Sequence, residues 1–136
     1  MNHYSQIYLI DDFEMSNLFH KVLFNKLKIG DEINVFTNPE KALDDLRQKV
    51  VVCDRIFILL DLNMPEMSGF EFLDIMIKEQ FSEQIDVVIA TSSISEDDMK
   101  KAEQYPMFVK GFVTKPLKID RLKSLLHPLQ QVNDLE

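Results

Sequence analysis

The sequence predicts an α/β domain wound around a parallel sheet. Five short strand-like runs alternate with five helical patterns along the 136 residues. The middle run, Ile56-Phe57-Ile58-Leu59-Leu60, is apolar without a break and leads into a Pro/Gly-containing turn. Such a run marks a strand buried on both faces. Strict βα alternation with right-handed crossovers then puts helices on both sides of the sheet, a doubly wound arrangement.

The strands fall near 6–10, 32–36, 56–61, 85–90 and 109–113. In the first helix, Met15, Leu18, Phe19, Val22, Leu23 and Leu27 recur at spacings of three and four and predict one apolar face, with His20 at its surface or boundary. Asn38-Pro39-Glu40 opens the second helix with an N-cap candidate followed by proline at the first helical position, and Ala42, Leu43 and Leu46 supply its inner face. Phe70, Leu73, Met76 and Ile77 do the same for the third. Ser95-Glu96-Asp97-Asp98 resembles a capping box and loads acid where the helix dipole favours it. Leu122, Leu125, Leu126 and Leu129 mark the last helix, which Pro128 is expected to kink or end.

The length and the 46% hydrophobic content suit one domain, expected over 1–136 with its core at about 6–127. There is no repeat, linker or stretch of 18 apolar residues, so no membrane span is expected. Residues 1–6 lack the pattern of a signal peptide, and the one cysteine, Cys53, excludes an internal disulfide and suits a reducing cytoplasm. A net charge of −8 with scattered Lys and Arg argues against direct nucleic-acid binding. His3, His20 and His127 share no metal-ligand spacing.

Chemistry gathers at the strand ends. Asp11 and Asp12 follow Ile7-Tyr8-Leu9-Ile10, Asp61 closes the middle strand, and the last two strands end in Ala90-Thr91-Ser92 and Val113-Thr114-Lys115-Pro116. In open α/β sheets, ligands bind beyond the carboxyl ends of the strands. If the first and third strands are neighbours, three carboxylates meet there. Two such charges about 4 Å apart repel by roughly 4 kcal/mol at an effective dielectric near 20, so the cluster must take up a proton or bind a cation. Oxygen-only ligands accompanied by water suit Mg²⁺. A carboxylate such as Asp61 forms acyl phosphates, and a transferring phosphoryl group needs cations and donors around its oxygens, which Mg²⁺, Lys115 and Thr91 would supply. Each residue alone has a plainer explanation: a turn or cap for the Asp pair, a strand residue for Thr91, a solvated loop for Lys115. The set points to a site.

In this order the residues resemble the receiver domain of two-component response regulators, over nearly the whole chain from about Gln6 to His127. The motifs are the Asp11-Asp12 pair, Asp61 with Pro65 and Gly69 after it, Thr91 thirty residues beyond, and Lys115-Pro116. The resemblance implies a flavodoxin-like (βα)5 fold with strand order 2-1-3-4-5. It implies that Asp61 is the phosphoacceptor, that Asp12 binds Mg²⁺ directly and Asp11 mainly through water, and that Asn63 offers its backbone carbonyl. Thr91 and Lys115 would hold phosphoryl oxygens, Phe112 would be the switch aromatic, and the Lys115-Pro116 bond would be cis. Asn63 and Ser93 stand where the family tunes phosphoryl lifetime. The segment between Asp12 and Asp61 is a few residues longer than in compact receivers, around Gln48 to Arg55.

The function so implied is a stand-alone cytoplasmic response regulator. A histidine kinase or phosphotransfer protein would phosphorylate Asp61, and a downstream protein would read helix four, strand five and helix five, with Tyr105, Phe108, Lys110 and Lys118 as candidate contacts. It would be a signalling domain with self-phosphorylation and autodephosphorylation chemistry rather than an enzyme in the usual sense. A haloacid-dehalogenase-like Mg²⁺ phosphatase, using an aspartyl phosphate, is the enzymatic alternative, but it wants a second Asp where Asn63 stands. A phosphorylation-independent scaffold would not need the complete acid, hydroxyl and lysine set. A flavodoxin-like electron carrier would place a phosphate-binding loop where Asp11-Asp12 would repel it.

Overall fold

The computed structural model describes residues 4–50 and 55–134, of which the last eight are described by backbone alone. Its elements are β1 (Tyr4–Ile10), α1 (Glu14–Leu27), β2 (Gly30–Phe36), α2 (Pro39–Lys49), β3 (Ile56–Asp61), α3 (Gly69–Lys78), β4 (Ile85–Thr91), α4 (Glu96–Ala102), β5 (Val109–Thr114) and α5 (Ile119–Asp134). All five strands are parallel, in the order β2-β1-β3-β4-β5. This is the flavodoxin-like architecture expected.

Side chains alternate across the strands and divide the core in two. Tyr8, Ile10, Ile58, Leu60, Val87 and Ile89 pack against α2, α3 and the start of β5's approach at Tyr105 and Phe108. Ile7, Leu9, Phe57, Leu59, Val88 and Ala90 pack against Leu23 and Phe24 of α1 and Leu122 and Leu126 of α5. Every residue of β3 is buried, as its unbroken apolar run requires.

Helix ends follow local chemistry. The Asn38 side chain accepts from the amides of Glu40 and Lys41, with Pro39 in the first turn. Ser95 accepts from the Asp98 amide at 3.1 Å. A full capping box that the pattern reading passed over sits at Ser68: its hydroxyl accepts from the Glu71 amide at 3.1 Å, and the Glu71 carboxylate accepts from the Ser68 amide at 2.9 Å. Ser68→Ala is expected to cost about 1 kcal/mol of stability, read as a shift in the urea midpoint at constant slope. Gly69 is needed for close approach, because a Cβ there would lie 2.8 Å from the Asp61 carbonyl oxygen. The helix therefore starts directly behind the end of β3.

Several expectations are corrected. In α1, Met15, Leu18, Phe19 and Val22 are exposed, and the face toward the sheet is Asn17, His20, Leu23 and Phe24. The helix is turned so that Phe24 packs on Phe57, ring centroids 5.4 Å apart, while Asn17 reaches the strand ends. His20 is thus buried, 2% exposed, and burial pushes its imidazole down to about 4. In α3, Ile77 faces outward and Phe72 takes the inner position. Of the two outcomes expected at Pro128, a kink or an end, the end is excluded, since the last helix runs on to Asp134. Tyr105 and Phe108 are buried, Tyr105 donating to Asp74 at 2.6 Å and stacking on Phe70, so neither offers a contact surface in this state. Cys53, His3 and Leu129's side chain lie outside the described residues, as does the middle of the lengthened segment before β3, residues 51–54.

Candidate functional site

Asp61 is the last residue of β3, and Ile10 of β1 pairs with Leu60 in the parallel register. One residue further, Asp11 comes opposite Asp61. Asp12 follows on the surface, and one carboxylate oxygen from each of the three lies within 4.8 Å of the others. Asp11 and Asp61 are 3% and 4% exposed, while Asp12 is open to solvent. Asp11 and Asp61 are placed by main-chain bonds around them. The Asp11 amide donates to the Phe36 carbonyl at 3.1 Å, the Phe13 amide donates to Asp11 Oδ1 at 2.9 Å, and the Leu62 amide donates to the Ala90 carbonyl at 3.2 Å.

Lys115 joins the cluster from the far edge. Its amide donates to the Thr91 carbonyl at 2.7 Å, and its bond to Pro116 is cis. The ammonium then donates to Asp11 Oδ2 at 2.9 Å and to Asp61 Oδ1 at 3.2 Å. The repulsion foreseen from sequence is therefore partly offset within the chain by a lysine. Burial pushes the Lys115 ammonium down, but the Asp11 and Asp61 carboxylates outweigh it and hold the ammonium above its ordinary range. Asp61 is pushed up to about 7, first by burial, then by the charge of Asp11 and the hydrogen bond with Asp12, with Lys115 opposing.

The three carboxylates and Lys115 line one cleft together with Phe13, Ser16, Asn63, Ser92 and Pro116. Sequence reading placed Asn63 here but passed over Ser16, a polar residue one turn into α1 among exposed apolar neighbours. Thr91 does not line this cleft. It is fully buried, and its hydroxyl donates to the Ser93 carbonyl at 3.0 Å. Phe112 pairs with Ile89 in the sheet and is half-buried against the core on the α2–α3 side. The donor set of the cleft is all oxygen and acidic, which fits a hard divalent cation.

A family model for the response regulator receiver domain matches residues 7–127. The chain is a response regulator receiver domain. This receiver is 30% identical over 124 residues to Two-component response regulator 24 of Arabidopsis thaliana, covering 89% of this chain and 81% of that one. It is 28% identical over 127 residues to a probable methanogenesis regulatory protein of Methanothrix harundinacea (strain 6Ac), covering 92% and 81%. Among solved structures, a two-component response regulator from Cytophaga hutchinsonii superposes with a TM-score of 0.80 at 25% identity, over 94% of this chain and 98% of that one. A receiver protein from Dyadobacter fermentans gives 0.78 at 26% identity, over 90% and 95%. Receivers are signalling domains. Among the described residues, no helix of this one is long and apolar enough to cross a membrane.

Proposed function

We propose that this receiver accepts a phosphoryl group on Asp61, in a Mg²⁺-dependent reaction, from a histidine kinase or phosphotransfer protein in the cytoplasm. The observation that carries the reading is the convergence of Asp11, Asp12, Asp61 and Lys115 in one cleft at the carboxyl ends of the strands. In the transfer, an Asp61 oxygen forms a bond to phosphorus as the bond to the donor's imidazole nitrogen breaks, and that nitrogen keeps the electron pair. Asp61 must be ionised to attack, and the Lys115 ammonium favours that form. Asp11, Asp12, Asp61 and the Asn63 carbonyl would hold Mg²⁺, whose charge would offset that of the phosphoryl oxygens. Lys115 would exchange part of its bonding to the acids for a phosphoryl oxygen. A donor must reach Asp61 across the rim of the cleft, and Phe13 on that rim continues into the exposed apolar stripe Met15, Leu18, Phe19 and Val22 of α1. That stripe is where the donor would pack.

The output follows from Thr91. Its hydroxyl now bonds Ser93, so contact with a phosphoryl oxygen requires the end of β4 to move toward Asp61. That movement frees room beside β5 for Phe112 to rotate inward, altering the surface of α4, β5 and α5, where Lys110 and Lys118 are exposed. The phosphoryl group shifts this equilibrium only through its differential contacts in the two states. Contacts to Thr91 and Lys115 together supply roughly 2–4 kcal/mol, enough to invert a minor population of a few per cent. Thr91→Ala is therefore expected to leave Asp61 phosphorylation intact while blunting the change around Phe112. Amide chemical shifts of residues 105–118, with and without beryllofluoride as phosphoryl mimic, test this. Shifts confined to the Asp61 cleft in the parent protein would count against a switch and leave a phosphatase or a scaffold as the better description.

A further inference from the structure

We propose that Asn17 is a positioning residue for the acidic cleft: its buried amide fixes the Asp11–Asp12 peptide and so sets where the Asp12 carboxylate stands for a divalent cation. The inference rests on the reading of Asp11, Asp12 and Asp61 as a cation site. Asn17 is fully buried on the sheet side of α1, a position where an amphipathic helix ordinarily carries an apolar residue. Its Nδ2 donates to the Asp11 carbonyl at 2.9 Å and to the Phe36 carbonyl at 3.0 Å. The Asp11 amide donates to that same Phe36 carbonyl, so one side chain closes a link among the ends of β1 and β2 and the first turns of α1.

The orientation of the amide follows from its partners. Reversed, it would set an oxygen against two carbonyl oxygens. Its own Oδ1 is buried without a partner, a desolvation cost that leucine at this position would avoid. What Asn17 uniquely supplies is therefore its pair of donors. The carbonyl it holds belongs to the planar peptide between Asp11 and Asp12, so fixing that oxygen also fixes the direction in which Asp12 leaves the strand. Asp12 is exposed, so its backbone and its hydrogen bond with Asp61 are what place its carboxylate. A side chain with no contact to the cation thereby determines whether three carboxylates are already gathered before it arrives.

The test is calorimetric titration of Mg²⁺ into the full chain, comparing the parent with Asn17→Leu, Asn17→Ala and Tyr4→Phe. Asn17→Leu keeps the forked shape and the number of side-chain heavy atoms, removes the orphan acceptor and loses both donors. It is expected to melt near the parent temperature yet to bind Mg²⁺ about tenfold more weakly. Asn17→Ala decides the question in the same titration should the leucine variant not fold. Tyr4→Phe removes a buried 2.9 Å bond to Asp86 near the opposite end of the sheet and is expected to leave the Mg²⁺ affinity unchanged. A folded Asn17 variant within twofold of the parent affinity overturns the proposal, as does an equal weakening in Tyr4→Phe. A parent protein that binds no Mg²⁺ overturns the cation-site reading itself, and this inference with it.

Discussion

Asp61→Asn is expected to abolish covalent phosphorylation. Incubation with acetyl phosphate and Mg²⁺ should add about 80 Da to the intact parent protein, one phosphoryl group on one carboxylate. The amide is a poor nucleophile, and it removes one of the three carboxylates that would hold the cation. Intact-mass spectrometry reads the result directly. Undiminished labelling of the Asn variant would move the acceptor elsewhere and sink the assignment. The same substitution removes the buried charge, so the metal-free variant is expected to be more stable than the parent above pH 7, where the parent must ionise Asp61 beside Asp11.

The second large effect is on stability, and its sign depends on pH. In the folded chain Asp61 is pushed up to about 7 from an ordinary 3.8. The folded state therefore holds a proton that the unfolded state has released. This contribution is fully present below the ordinary value and is lost as pH rises through about 7. His20 runs the other way: driven down to about 4 by burial, it contributes above its ordinary 6.5 and loses that contribution as pH falls. Histidine still adds a shallow rise just above pH 6.5 and flattens about a pH unit higher, so a net decline in metal-free stability from pH 6.5 toward pH 8 runs against it and reports Asp61. Mg²⁺ reverses that decline. At a concentration 100 times the Kd measured at pH 8, a cation binding only the folded chain adds about 2.7 kcal/mol. At pH 5, competition with a proton weakens the affinity about 100-fold and leaves about 0.4 kcal/mol at the same concentration. Asp12→Ala should remove most of the increment at pH 8. Thermal melts at the two pH values, with and without Mg²⁺, check both arms, and a melting temperature at pH 8 indifferent to Mg²⁺ would exclude the site.

Much of this was legible in the chain because the signals are local. A β3 buried on both faces has no polar side to present, so Ile56 to Leu60 announce it without any partner. Asn38-Pro39 and Ser95 announce helix starts because a cap satisfies amides only two or three residues away. Asp11, Asp12, Asp61 and Lys115 each stand at the end of such a run, and parallel strands all end on one edge. Knowing the strands was enough to place the acids together once β1 and β3 were neighbours.

The tertiary structure alone decided which way α1 faces. Periodicity finds an apolar stripe but cannot tell a stripe covered by the sheet from one left to a partner, because both obey the same spacing. Here the stripe of Met15, Leu18, Phe19 and Val22 is outside, and Asn17 and His20 are inside. Asn17 is held there by carbonyls of Asp11 and Phe36, the latter nineteen residues away along the chain. Lys115 likewise meets Asp11 across a separation of 104 residues, and the Thr91 hydroxyl is bonded to Ser93. The sequence by itself determined the elements, their order and the chemistry at their ends, since those depend on neighbours in the chain. Helix rotation, the partner of each buried polar group and the ionisation of Asp61 depend on distances between distant segments, and only the folded chain sets those.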